Sequence, residues 1–326
     1  MKKKILITGA SGYIGSCLCT FLSKIFDVYA VDKKKKPEWL RISKSKFFKI
    51  NLSNKKKVNW LLNRVKPSII IHLAALSTVN ETIPKSKYLK NNKLVTEILI
   101  KMMIKNNIKK IIFSSTAAVY KKKLSNIKET DKVLPINNYG KSKLLTEKLI
   151  INENNVKSVI LRFFNVTSSL NKGLIGECHK PETHLIPRVI SLINKNRKIK
   201  IYGKNYATPD KTCIRDYIHI YDICNAIKKS IKYLSSSHSK NQIINLGNEK
   251  GISVLNIIKQ AEKIMGKKAI ITIEKRRKGD PAKLVCSIEK AKKIIKWLPI
   301  KSSIKKIIND EILWNKKLEA KNIFRV

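Results

Sequence analysis

The sequence predicts an α/β protein: a doubly wound parallel sheet followed by a smaller C-terminal α/β lobe. Three observations lead there. Short β-branched runs alternate with helical segments through the first half, as expected for strands covered on both faces by crossover helices. Three glycines at a fixed interval, Gly9, Gly12 and Gly15, stand between the first such run and the first helix. After about residue 165 the alternation gives way to loops and shorter elements.

Taken in order, Lys4 to Ile7 is a short apolar strand and Tyr13 to Ser23 a helix. The start, Met1-Lys2-Lys3-Lys4-Ile5, has the charge of a secretory leader. However, Thr8, Gly9, Ser11 and Gly12 interrupt the apolar stretch at once, which favours a strand and its turn. Val28 to Val31 and Phe47 to Ile50 read as strands, and Val58 to Val65 as a helix. Ser68 to Leu73 and Lys110 to Ser114 are buried strands, separated by one long helix from Ser86 to Asn106. A helix at Tyr139 to Asn152 and a strand at Ser158 to Phe164 complete the first half. Loops dominate Thr167 to Thr183. Then come a helix at Leu185 to Asn194, a strand at Lys200 to Tyr202, a helix at Tyr221 to Leu234 and a strand at Gln242 to Leu246. A helix at Val254 to Met265, a strand at Ala269 to Glu274 and two terminal helices finish the chain. The expected division is 1–165 and 166–326, partly interleaved, because Tyr217 to Ile227 reads as further sheet and helix of the core.

At 326 residues the chain can bury a large core, and its 43% hydrophobic share is that of a globular protein. No stretch approaches the roughly 20 apolar residues that span a bilayer. The formal charge of +48 raises the question of nucleic acid or membrane binding. The lysines are dispersed along the whole chain and not interleaved with aromatic residues, which points to compositional drift and predicts no specific nucleic-acid or membrane partner. Six cysteines, Cys17, Cys19, Cys178, Cys213, Cys224 and Cys286, form no Cys-x-x-Cys pair and have no histidine at zinc-finger spacing. The expectation is a reduced, cytoplasmic protein without a metal.

The glycine turn lies where a Rossmann sheet holds a pyrophosphate: glycines admit a close backbone approach, and the helix N-terminus offers unpaired N–H donors and partial positive charge. Asp32 ends the second strand, near the roughly 20-residue offset at which a carboxylate takes both ribose hydroxyls. It would repel a 2′-phosphate, so NAD is preferred to NADP, although Lys33 to Lys36 beside it would tolerate that phosphate. Tyr139 and Lys143 are four residues apart and share one helix face. A phenol with a pKa of about 10 is a poor base at neutral pH, and a neighbouring ammonium favours the phenolate. The pair therefore suits removal of a proton from a substrate hydroxyl, although a packed Tyr and an exposed Lys on an amphipathic helix have the same spacing. Thr116 follows a buried strand, at the edge where parallel sheets present ligand-binding groups. Its hydroxyl would bridge the substrate oxygen and Tyr139.

With these motifs in place, the chain resembles the extended short-chain dehydrogenase/reductase family from Ile5 to about Trp314. The more specific matches are Leu161-Arg162-Phe163-Phe164-Asn165, Pro181 to Pro187, Ile201-Tyr202-Gly203, Thr212 to His219, and Arg276 to Ala282. Within the family it is most similar to enzymes acting on UDP-sugars. The resemblance implies epimerisation at C4 of a UDP-hexose through a transient 4-keto sugar, with resident NAD and a homodimer formed through two core helices. It implies that Tyr13, Ile14, Asp32, Asn51, Leu52, Leu73, Ala74, Ala75, Asn92 and Phe164 line the NAD site. Tyr139 would be the base, Lys143 would tune it, and Thr116 would complete the proton path. Asn165, His184, Leu185, Lys200, Ile201 and Tyr202 would contact the nucleotide sugar, Arg215 and Arg277 the diphosphate, and Asp280 the uridine ribose. Asn51 stands where family members carry an Asp, and Leu284 where residue size influences room for an N-acetyl group. UDP-N-acetylglucosamine 4-epimerisation and UDP-glucuronate chemistry therefore stay open, as does a non-catalytic NAD-sensing or nucleic-acid-binding role. A 4,6-dehydratase would need an Asp-Glu pair where this chain has Ala117-Ala118.

Overall fold

A computed structural model describes residues 2–79, 82–179, 181–277 and 279–320. The first half runs β1 (Lys4–Thr8), α1 (Tyr13–Leu22), β2 (Asp27–Asp32), β3 (Lys46–Lys49), α2 (Lys55–Val65) and β4 (Ile69–His72). It continues with α3 (Lys85–Tyr88), a π-helical stretch (Leu89–Leu94), α4 (Val95–Lys105), β5 (Lys110–Thr116), α5 (Asn138–Ile151) and β6 (Lys157–Phe163). Short strands follow, β7 (Asn165–Thr167), β8 (Ser169–Leu170) and β9 (Ile175–Gly176), then α6 (Leu185–Asn194), β10 (Lys198–Tyr202), β11 (Ile214–His219) and α7 (Ile220–Ser235). The chain ends with β12 (Gln242–Leu246), β13 (Gly251–Ser253), α8 (Val254–Met265), β14 (Ile270–Glu274), β15 (Lys283–Leu284), α9 (Glu289–Ile295) and α10 (Ile304–Ala320).

Seven parallel strands form the main sheet in the order β3-β2-β1-β4-β5-β6-β12. Strand order reverses between β1 and β4, and the crevice at the carboxyl ends of those strands is where open α/β sheets bind ligands. The side-chain period of a strand explains the two cores. Ile5 and Ile7 pack on one face with Leu18 of α1 and Ile223 of α7, while Leu6 packs on the other with Leu61 of α2 and Met103 of α4. A third core belongs to the later elements and includes Ile190, Ile201, Ile257 and Ile307. Among the described residues no helix is long and apolar enough to cross a membrane.

The structure departs from the sequence reading in three places. The strand at Gln242 to Leu246 is the seventh strand of the main sheet, beside β6, instead of part of the second lobe. The segment from Tyr217 splits: Ile214–His219 joins a separate sheet with β7, β13 and β15, touching the main core through Ile218, and α7 packs along that core. Periodicity identifies a strand but not the sheet that receives it. The long helix before β5 is interrupted by the π-helical stretch, a local widening that often marks a functional site.

Candidate functional site

The glycine turn is compressed against itself and against the loop after β4. A Cβ on Gly15 would lie 2.1 Å from the Gly9 carbonyl oxygen, and one on Gly9, at φ +71°, would lie 2.7 Å from the Ala74 nitrogen. Gly12 is the N-cap of α1 and provides no side-chain cap, so the first-turn N–H groups of Tyr13, Ile14 and Gly15 have no helical partner. This cradle fits a pyrophosphate. Asp32 borders it, its carboxylate accepting from Ser11 N at 3.0 Å and Lys34 N at 2.9 Å. The Tyr13 side chain turns away and donates to the Ser168 carbonyl at 2.6 Å, leaving its N–H as the group available to a ligand. Ile50 N donates to the Asp32 carbonyl at 2.8 Å, which brings exposed Asn51 and buried Leu52 to the same edge.

On the other side of β1, Leu73 and Ala74 donate their N–H groups to Thr8 Oγ1, each at 3.2 Å, and Ala75 follows half-buried. His72 braces this loop from below, between Thr8 Oγ1 at 2.7 Å and Thr96 Oγ1 at 2.9 Å; burial pulls its pKa down to about 3, so it is neutral. Asn92, in the π-helical stretch, accepts from Leu76 N at 2.7 Å and donates to Leu76 O at 3.2 Å and Ser142 Oγ at 2.9 Å. Its amide therefore joins the β4 loop to α5.

Tyr139 and Lys143 lie on α5, facing the end of β5. Thr116, the last residue of β5, accepts from Ala118 N at 3.2 Å and hydrogen-bonds the Tyr139 phenol. The buried ring of Tyr88 tilts against Tyr139 with 6.3 Å between centroids. Lys143 is buried, donates to the Ser114 carbonyl at 2.7 Å and lies 4.6 Å from the centre of the Phe113 ring. The electrostatics differ from the sequence expectation that Lys143 lowers the phenol pKa. Burial pushes Tyr139 up to about 12 against the Thr116 hydrogen bond, and burial pulls Lys143 down to about 7 against the charge of Glu147. Desolvation outweighs the attraction between the pair because the ammonium is turned to Ser114.

A second polar layer beneath these residues was not anticipated from the sequence. Glu147, one turn beyond Lys143, accepts from Arg162 Nε at 3.0 Å and Nη2 at 2.6 Å and from Ser115 Oγ. Both charged side chains are almost wholly buried. Arg162 covers the Tyr120 ring at 4.7 Å, and Tyr120 donates to Asn245 Oδ1 at 2.7 Å. The signal was present: Tyr139, Lys143 and Glu147 recur at i, i+4, i+8, one stripe of α5, and a stripe bearing ionisable residues in a covered helix demands buried partners.

The later elements supply a cationic cluster. Arg215 of β11 pairs with Asp280 Oδ1 at 2.6 Å, and Tyr206 donates to Asp280 Oδ2 at 2.9 Å. Arg277 covers the Tyr202 ring at 4.1 Å, and Arg276 covers Tyr206 at 3.9 Å. Asp280 thus orients Arg215; Tyr206 and Arg276, given no role from the sequence, complete the group. Lys278 lies outside the described residues. Lys200 pairs with Glu274 at 3.1 Å, while the Ile201 side chain is in the third core and offers only backbone to a ligand. Phe164 is buried, and its N–H donates to the Leu246 carbonyl at 3.0 Å. Asn165 pairs in register with Tyr217, two residues along β11 from Arg215. His184 caps α6 and stands half-exposed, with Leu185 beside it.

Comparison with known proteins adds the following. The family model described as the NAD dependent epimerase/dehydratase family matches residues 5–247. The UDP-glucose 4-epimerase of Halalkalibacterium halodurans is 35% identical over 320 residues, covering 96% of each chain. That of Lacticaseibacillus casei is 37% identical over 319 residues, covering 95% of this chain and 96% of its own. The crystal structure of Bifidobacterium longum UDP-glucose 4-epimerase in complex with NAD+ and UDP superposes with a TM-score of 0.89 at 31% identity, covering 97% of this chain and 98% of that one.

Proposed function

The chain belongs to the NAD dependent epimerase/dehydratase family, and we propose that it interconverts UDP-glucose and UDP-galactose by NAD-dependent epimerisation at C4. The observation that carries this reading is the meeting of Thr116, Tyr139 and Lys143 at the carboxyl edge of the sheet whose first turn is the glycine cradle.

Gly9, Gly12 and Gly15, with Asp32 at the edge of the cradle, would hold NAD, which would supply reversible hydride transfer at C4 of the sugar. The residues do the rest. Tyr139 accepts the proton of the sugar 4-hydroxyl and gives it back after the 4-keto sugar has turned over. Thr116 holds the phenol oxygen in line. With its pKa raised to about 12, Tyr139 needs positive charge beside it before it can act as a base. Lys143, brought to about 7, supplies that charge when its ammonium leaves the Ser114 carbonyl. Arg215 and Arg277 hold the diphosphate, with Asp280 and Tyr206 keeping Arg215 oriented. Ala117, where a dehydratase would place an acid, is a buried apolar side chain in the turn after Thr116.

The chain is also proposed to act as a homodimer in a reducing, cytoplasmic setting. Leu94 and Ile104 on the helix before β5, and Leu145 on α5, leave apolar surface exposed on the two helices involved. Among the described residues no disulfide is formed, and Cys17, Cys19, Cys224 and Cys286 are buried thiols.

The test is incubation of purified protein with UDP-galactose and, separately, with UDP-N-acetylgalactosamine, without added NAD. Both are used because Leu284 stands in register with Arg215. Epimer formation is expected in wild type and its loss, by about 100-fold or more, in Tyr139→Phe with NAD retained. Failure of wild type with both sugars even after NAD addition would overturn the reading.

A further inference from the structure

Proton and hydride transfer at Tyr139 make no use of a second constellation, formed by two residues before and two residues after Lys180, which itself lies outside the described residues. Glu177, His179, Glu182 and His184 each turn a donor atom toward a common point, all within 4.8 Å of one another. His179 Nδ1 and His184 Nδ1 converge on the same oxygen, Glu177 Oε1, at 2.9 and 2.5 Å. Glu182 approaches those two imidazoles at 3.8 and 3.4 Å. Its Oε1 is anchored by Thr183 N at 2.7 Å and His184 N at 2.8 Å, which leaves Oε2 over for the cluster.

Ion pairing alone accounts poorly for this arrangement. The Glu177 side chain is 0% exposed; its oxygens, the buried Nδ1 of His179 and Oε2 of Glu182 touch one another as ion pairs, but none of these contacts has the angles of a hydrogen bond. Glu311, 1% exposed, brings a third carboxylate within electrostatic reach of Glu177, Glu182 and His184, and its Oε2 is likewise unpaired. A fully covered carboxylate is costly out of water unless it is paired or metal-bound, and Glu177 is one. Tetrahedral zinc has metal–nitrogen and metal–oxygen distances of about 2.0–2.2 Å, which sets its donors roughly 3.3–3.6 Å apart. The four donors lie within 4.8 Å of one another, and the two imidazole contacts on Glu177 Oε1, at 2.9 and 2.5 Å, would open by up to about 1 Å to admit the ion. The mixture of imidazole nitrogen and carboxylate oxygen suits Zn2+ better than Mg2+ or Ca2+.

We propose that Glu177, His179, Glu182 and His184 form a Zn2+ site. The metal ties the segment after β9 to the start of α6, and through the bond from Trp314 Nε1 to the Glu177 carbonyl, at 2.5 Å, it braces that segment on α10. The sequence hid the site because His179 and His184, although at a zinc-finger His-x4-His spacing, have no Cys-x-x-Cys pair to go with them, and two carboxylates complete the set instead.

The experiment is titration of chelator-treated full-length protein with Zn2+ by calorimetry, repeated with Co2+ and read by its visible absorption. One equivalent should bind, with the intense spectrum of a four-coordinate Co2+ complex. His179→Gln and Glu182→Gln should each weaken binding by about 100-fold, since even loss of an outer-shell partner costs 10–100-fold. Glu182→Gln keeps the oxygen that accepts the two backbone N–H groups, so circular dichroism should report an intact fold. His238→Gln, at an exposed histidine elsewhere, should leave binding unchanged. Absence of stoichiometric binding by wild type would overturn the proposal, as would unchanged affinity in both ligand variants or lost affinity in His238→Gln. Because binding is read without substrate, the result does not depend on the proposed epimerase activity.

Discussion

Replacing Glu147 by Gln removes one charge from beneath the proposed proton-transfer site and almost nothing of its shape. Arg162 is then left buried, 3% exposed in its side chain, without the carboxylate that accepts from its Nε and Nη2. Its Nη1 already lacks a hydrogen-bond partner, so no spare acceptor stands ready. Breaking a buried pair from one side costs about 3–5 kcal/mol, most of it the desolvation of the charge left behind. At roughly 1.5 °C per kcal/mol for a fold of 326 residues, Tm should fall by about 4–7 °C. The loss reaches the site as well, because Glu147 is the charge that holds Lys143 partly protonated. Thermal unfolding by circular dichroism and the rate of epimer formation read the two effects. Arg162→Met should destabilise comparably, while the double variant should lose less than the sum, since neither charge then remains unpaired. A Tm within about 2 °C of wild type for Glu147→Gln, or strict additivity in the double variant, would refute the argument.

Three further outcomes are expected. Gly15→Ala places a methyl 2.1 Å from the Gly9 carbonyl oxygen; α1 must retreat by roughly 1 Å, and activity should fall about 100-fold with loss of co-purifying NAD, measured by absorbance after denaturation. Lys143 has a folded pKa of about 7, below its unfolded value, so between there and the ordinary lysine range the unfolded chain binds the extra proton. Its contribution makes stability rise with pH across that window, and Lys143→Met should flatten that rise in Tm while lowering activity; an unchanged pH slope would show that the buried amine does not titrate as argued. Arg215→Met leaves Asp280 paired with Tyr206 alone, and steady-state kinetics should give a KM for UDP-galactose raised roughly 10- to 100-fold with a smaller effect on kcat, the loss of one charge-assisted contact.

Much of this protein can be read from local spacing. Gly9, Gly12 and Gly15 between a strand and a helix imply a turn that folds back on itself, because the backbone contacts at Gly9 and Gly15 admit no Cβ and Gly12 leaves room only for a tight one. Tyr139, Lys143 and Glu147 must share a helix stripe because 3.6 residues make a turn. Asp32 must end beside the cradle because β2 pairs with β1 in register. Tertiary structure decided what depends on the company a residue keeps. Strand β12 could be recognised as a strand, but only packing placed it beside β6. The direction of the Tyr139 shift turned on burial and on the Lys143 ammonium facing Ser114, neither of which spacing reports. The same holds for the partners of Glu147 and for the convergence of Glu177, His179, Glu182 and His184. Periodicity constrains the direction in which a side chain leaves its own element; desolvation and pairing depend on atoms brought from elsewhere in the chain, and these exist only once it has folded.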